Sequence, residues 1–137
     1  MKFSTRSTYG IMALIQIATN QTGPTSVSQI AKAEDLSPDY LERLVSRLKK
    51  QGVIKSSKGS AGGYELAKPV TDINLLEVLQ ALEGFKSSFS CSAVNGKLDG
   101  CNQGCHCSSD NILSFIQIKL NQTLIEISLE DLIKKQK

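Results

Sequence analysis

The stretch from Ser26 to Gly52 constrains the fold more than any other part of the chain. Ser26-Val27-Ser28-Gln29 has the spacing of a capping box, with Ser26 as N-cap and Gln29 at the third helical position. The helix it opens turns Val27, Ile30 and Ala31 inward and ends near Ala33. Glu34-Asp35-Leu36 supply a short turn. Ser37-Pro38 then start a second helix, with serine as N-cap and proline at the first helical position, where a missing N–H costs nothing. Leu41, Leu44, Val45 and Leu48 follow at i, i+3, i+4 and i+7, a core-facing stripe, and Gly52 is placed to end the helix in a left-handed conformation. Two short helices joined by a tight turn predict a helix-turn-helix.

The next residues extend that motif. Val53 to Ser57 reads as a strand, Lys58-Gly59-Ser60-Ala61-Gly62-Gly63 as a glycine-rich turn, and Tyr64-Glu65-Leu66 as the returning strand. A hairpin directly after a helix-turn-helix is a wing. Its glycines do not form a phosphate loop, because they open no helix and no Gly-Lys-Ser/Thr follows them. A buried first helix is expected from about Ser7 to Asn20, apolar almost all round. Asn74 and Glu77 have capping-box spacing, with Ile73 and Val78 placed as a hydrophobic staple, for a helix carrying Leu76, Leu79 and Leu82 and stopping at Gly84. A long loop spans Ser87 to Ser109, a helix runs from about Ser109 to Ile125, and a short helix begins at Ser128.

The predicted class is mainly α with a small β-wing: a winged helix-turn-helix plus a long C-terminal dimerisation helix. Residues 1–86 form the DNA-binding unit, 87–109 a cysteine-rich loop, and 110–137 the dimerisation and terminal helices, compact with 1–86. The 137 residues allow one domain of ordinary size. No apolar run approaches the roughly 18 residues of a membrane span. The apolar stretch at Ile11–Ala18 is short for a signal peptide and no cleavage site follows it, so a cytoplasmic location is expected.

The net charge is only +3, but it is unevenly placed. From Arg43 to Lys58 there are six basic residues and no acidic one, whereas residues 91–137 balance at five of each sign. The outward face of the second helix shows Asp39, Tyr40, Glu42, Arg43, Ser46 and Arg47, with Ser37 at its start. Arginine can pair with guanine and glutamate can accept from cytosine. Lys49, Lys50 and Lys55 suit phosphates, and Lys58 with Gly59 at the wing tip could enter the minor groove. A basic helix face is often just solvated. A basic run on this particular helix, continued into a wing, points instead to double-stranded DNA.

All four cysteines, Cys91, Cys101, Cys105 and Cys107, lie within seventeen residues, together with His106, the only histidine. Scattered disulfides staple small secreted domains, and this pattern instead resembles one site. Soft thiolates suit an iron–sulfur cluster or zinc. The pairs of a zinc ribbon are absent, and Asp110, His106 and Cys105 compete as a fourth ligand.

Several motifs together carry a family resemblance. They are Met1-Lys2-Phe3-Ser4-Thr5 through Tyr9, Ser37-Pro38-Asp39-Tyr40-Leu41-Glu42, Ser46 to Gly52, and Lys58 to Tyr64. Over nearly its whole length the chain resembles the Rrf-two family of winged-helix transcription regulators, and most closely its iron–sulfur cluster-binding IscR branch. That resemblance implies a homodimer with crossing C-terminal helices, binding to palindromic promoter DNA, and a [2Fe–2S] centre held by three cysteines. Cys101 and Cys107 match the branch's C-x5-C pair, with Asp110 in the place of its histidine, and Cys91 matches the first cysteine across a gap four residues longer. Where an acidic residue of the partner's first helix serves as ligand in related sensors, this chain has Thr8.

The expected function is a dimeric regulator, acting as a repressor, whose promoter binding depends on the cluster. A zinc- or thiol-switched regulator of the same fold is one alternative, and a module docking to a metabolic enzyme is another. An enzyme is not expected, because no nucleophile–base or paired-carboxylate constellation can be placed, and neither a small-molecule substrate nor a membrane is implied.

Overall fold

A computed structural model describes residues 3–60, 62–84, 93–94, 97–98 and 110–136. Among the described residues there are six helices and two small antiparallel hairpins, the first hairpin completing a winged helix. Helix α1 (Thr5–Thr19) is the central post, with Ala13, Leu14, Ile15 and Ile17 buried. It starts two residues earlier than the apolar pattern predicts, because Ser4 caps it by accepting from the Ser7 N–H at 3.3 Å. It also stops before Asn20. That side chain donates to Gly23 O at 3.0 Å and Thr25 Oγ1 at 2.8 Å and accepts from Thr22 N–H at 3.1 Å, so it organises the turn instead.

Helix α2 (Val27–Glu34) opens with the predicted capping box, both halves made: Gln29 N–H to Ser26 Oγ at 3.2 Å and Ser26 N–H to Gln29 Oε1 at 2.8 Å. Asp35 ends it at φ 52°, a left-handed position that short polar side chains tolerate. Helix α3 (Pro38–Lys50) buries Leu41, Leu44, Val45 and Leu48 as its stripe predicts. Ser37 stands at the N-cap, but its hydroxyl makes no capping bond. The residue is exposed, and its carbonyl accepts the first helical bond from Leu41 N–H at 3.1 Å. At the other end Gly52, at φ 77°, donates to Lys49 O and Val53 donates to Leu48 O, a complete Schellman motif.

Strands β1 (Ile54–Ser57) and β2 (Gly63–Leu66) form the wing, in the register Ile54↔Leu66, Lys55↔Glu65, Ser56↔Tyr64 and Ser57↔Gly63. Thr25 bridges to β2 as well: its N–H donates to Tyr64 O and its carbonyl accepts from Tyr64 N–H, at 2.9 and 2.8 Å. Helix α4 (Leu75–Glu83) is only half capped as predicted. Asn74 Oδ1 accepts from Glu77 N–H at 3.0 Å, but the Glu77 carboxylate is drawn to Lys68 Nζ at 2.8 and 3.0 Å instead of closing the box. The inward residues of α4 are Leu75, Val78, Leu79, Ala81 and Leu82, with Leu76 half-buried.

Short strands β3 (Ala93–Val94) and β4 (Lys97–Leu98) pair antiparallel. Helix α5 (Asp110–Glu126) comes next, then α6 (Leu129–Gln136), which Ser128 and Asp131 cap reciprocally. Leu75 N–H to Ile127 O and Leu129 N–H to Ile73 O, both 2.8 Å, tie the start of α6 to the start of α4. Leu129 thereby enters the core with Leu14, Leu41, Leu48 and Leu82. Leu124 of α5 packs on Leu75 and Leu79 in a second cluster. No helix among the described residues is long and apolar enough to cross a membrane.

Candidate nucleic-acid interface

Helix α3 separates its faces cleanly. Opposite the buried stripe, Asp39, Arg43, Ser46 and Lys50 stand at i, i+4, i+7 and i+11 and are all exposed. Arg43 makes no hydrogen bond or ion pair among the described residues, so its guanidinium is available to a base edge or phosphate. Glu42 and Lys49 lie on the flank toward the wing. The proximity of Glu42 shows in Tyr64 of β2, whose hydroxyl titrates above the usual tyrosine range because burial, and then the Glu42 carboxylate, disfavour its charge.

The opposite flank touches the rest of the protein, although Arg47 on it stays exposed. Tyr40, half-buried, meets Tyr9 of α1 edge to face at 6.1 Å between centroids. Arg47, two turns on, donates from Nη1 to the Leu82 carbonyl at 3.1 Å, at the C-terminal end of α4. A cation there also complements the helix dipole. Thus Arg43 and Arg47, equivalent by composition, occupy different surroundings.

On the wing, Lys55 pairs with Glu65 across the strands at 3.3 Å, so part of its charge is balanced. Lys58 and Gly59 are exposed at the tip, with Gly59 at φ 119°. Gly63 is required by a close approach: a Cβ there would lie 2.6 Å from the Thr25 backbone.

A polar junction that the local sequence pattern does not announce sits at the end of α4. The Ser4 and Ser7 hydroxyls both donate to Glu83 Oε1. Burial pushes the Glu83 carboxyl up, but these hydrogen bonds and the Arg6 charge outweigh it and hold it below the usual glutamate range. These partners are 76 and 79 residues apart in the chain, so no local spacing could signal them.

Cys91, Cys101, Cys105, His106 and Cys107 lie outside the described residues, as does the side chain of Asp110, whose backbone begins α5. Among the described residues no group of three His, Cys, Asp or Glu side chains is placed to hold a metal.

The family model described as Rrf2, iron-dependent transcriptional regulator, matches residues 3–135. The chain belongs to the Rrf2 family. It is therefore a DNA-binding transcription regulator with a winged helix, and not an enzyme. It is similar to the transcriptional regulator IscR of Xenorhabdus nematophila, 31% identical over 99% of this chain and 81% of that protein. Among solved structures it resembles CymR, the global cysteine regulator of B. subtilis, at 30% identity with a TM-score of 0.76, covering 98% of each chain. IscR of T. potens matches at 28% identity with a TM-score of 0.74, over all of this chain and 89% of that one.

Proposed function

We propose that this Rrf2 regulator is a cytoplasmic homodimer that reads palindromic promoter DNA through α3 and the wing, and represses in response to a [2Fe–2S] cluster. The observation that carries the sensor assignment is the confinement of all four cysteines to seventeen residues of a chain with IscR relatives. Cys91, Cys101 and Cys107 supply three thiolates, and Asp110, His106 or Cys105 supplies the fourth donor. Such a donor set suits iron, because the four ligands are shared between two metal ions and need no single tetrahedral spacing. When bound, the cluster supplies a redox- and supply-sensitive crosslink within residues 87–110, the segment between the DNA-binding unit and α5.

The reading elements are Asp39, Arg43 and Ser46 on the exposed ridge, with Ser37 and Glu42 beside it, Lys49 and Lys50 toward phosphates, and Lys58 with Gly59 at the wing tip toward the minor groove. The dimer reading rests on α5. Ile112, Phe115, Ile118 and Ile125 are 62%, 59%, 55% and 53% exposed, an apolar face the protomer leaves uncovered. A second copy would cover it and set two recognition helices about 34 Å apart, one turn of DNA. Cluster binding then shifts DNA affinity by its preference for one arrangement of the two units.

Anaerobic purification tests the sensor. Visible absorbance with iron and sulfide in equal amounts, lost in Cys91→Ala, is the expected result. A colourless preparation containing zinc would overturn it. A second reading, a thiol–disulfide switch on the same fold, is favoured by likeness to a Staphylococcus aureus CymR solved in an oxidized form, 27% identical with a TM-score of 0.68. It predicts a colourless, metal-free protein whose DNA binding is reversed by dithiothreitol.

A further inference from the structure

Two helices, α3 and α1 with its N-cap, converge on the last turn of α4. Arg47 of α3 donates to Leu82 O, Ser4 and Ser7 of α1 donate to Glu83, and Leu82 packs so closely on Gly10 of α1 that a Cβ there would lie 2.4 Å from its methyl groups. Gly84, at φ 68°, then ends the helix by donating to Gln80 O at 2.9 Å. Seven residues further on stands Cys91.

We infer that Arg47 is a positioning residue that sets the pose of the recognition helix against the end of α4, and that it is not one of the DNA-reading groups. The inference rests on the reading that α3 enters the major groove. Its position on the helix supports it. Arg47 shares a flank with Tyr40, which is packed on Tyr9, while the ridge most remote from the core is Asp39, Arg43, Ser46 and Lys50. The carbonyl it engages lies in the final helical turn, where C=O groups lack intrahelical donors, so the bond is charge-assisted and satisfies an acceptor the helix leaves open. The consequence is regulatory. The guanidinium joins the helix that meets DNA to the residues from which the chain departs toward the cysteines, so a displacement of that departure point reaches α3 directly.

The test separates this role from the two contacts an arginine on α3 would otherwise make. The probe is a duplex selected from a random-sequence pool by the wild-type protein, together with its single-base variants, titrated over a salt series. Arg47→Ala should weaken binding on the order of tenfold on every duplex alike, the size expected for one charge-assisted hydrogen bond. The slope of log affinity against log salt should stay at the wild-type value. Amide exchange should quicken at residues 80–84 and stay at wild-type rates in α2 and the wing. Ser7→Ala, a residue wholly buried and unable to touch DNA, should give the same signature by loosening the same turn from its other side.

A slope lower by about 0.9 per bound protomer would instead make Arg47 a phosphate contact and overturn the inference, whatever the exchange shows. Loss of discrimination at one base pair, or undiminished affinity, would overturn it equally. Arg43→Ala is the control on the underlying reading. If it leaves affinity, salt slope and base discrimination all intact, α3 is not the reading helix, and the tie itself is then judged on exchange at 80–84 alone, where wild-type rates in Arg47→Ala would sink it.

Discussion

Gly63 shows how one hydrogen atom in place of a methyl group holds the wing to the body. The Thr25 carbonyl oxygen and carbon both lie 2.6 Å from where a Cβ would be built, and backbone cannot swing aside as a side-chain end can. Gly63→Ala should therefore cost about 1–3 kcal/mol, the usual range for overpacking. It should also break the Thr25–Tyr64 bridge, visible as faster exchange of the Tyr64 amide. An unchanged melting temperature would contradict this account. Glu83 carries a pH signature. Its folded carboxyl titrates below the usual range, so its contribution is complete above the unfolded pKa and is lost as pH falls toward the folded one. A Ser4→Ala/Ser7→Ala variant should melt lower than wild type at neutral pH, and the gap should narrow as pH falls through the carboxylate range, below about pH 4.5. A gap that stays constant through that range would exclude a role for the hydroxyls in lowering the Glu83 pKa.

At the scale of elements, legibility follows the range of the interactions. The boundaries of α2 and α6 rest on serine caps whose partners are three residues away, and Ser26 with Gln29 can be read directly from spacing. The stripe of α3 is equally plain, because Leu41, Leu44, Val45 and Leu48 follow one another at helical spacing with no charged residue on their face. The α4 cap departs from its spacing for a tertiary reason: Lys68, in the preceding loop, outcompetes the Asn74 amide for Glu77. In α5 the expected single stripe of Ile112, Phe115, Ile116, Leu120 and Leu124, widened by Leu113 and Ile118, divides in two. Leu124 turns to Leu75 and Leu79, whereas Ile112, Phe115 and Ile118 face outward. Periodicity alone cannot assign sides on a helix apolar over most of its circumference. The division predicts opposite phenotypes. Leu124→Ala should destabilise the fold by about 2–5 kcal/mol, as buried leucines do. Phe115→Glu should leave the circular dichroism spectrum unchanged and convert a sedimenting dimer into a monomer. A wild-type monomer at micromolar concentration would remove the basis for the second outcome.

For the whole molecule, the decisive quantity is how many DNA-reading units bind together. The sequence contains one helix-turn-helix and one wing, and the basic run from Arg43 to Lys58 places the charge on them without reference to any tertiary contact. It cannot separate the arginines, because the tie from Arg47 to Leu82 spans 35 residues. Nor can it count protomers, since the outward ridge looks the same in a monomer and a dimer. Salt dependence can count them. Each phosphate neutralised by a lysine releases condensed counterions and contributes about 0.9 to the slope of log affinity against log salt. Lys50 is exposed on the ridge that faces away from the core and is read as a phosphate contact. Replacing it by glutamine in a dimer removes two such contacts at once, so the slope should fall by about 1.8, against about 0.9 for a single bound protomer. Base preferences should survive, because a phosphate contact positions the protein without specifying sequence. On a duplex cut to one half-site the same substitution should lower the slope by only the single-protomer amount. Equal changes on full and half sites would show that two protomers do not engage the full site together, and an altered base preference would move Lys50 from the phosphates to the groove floor.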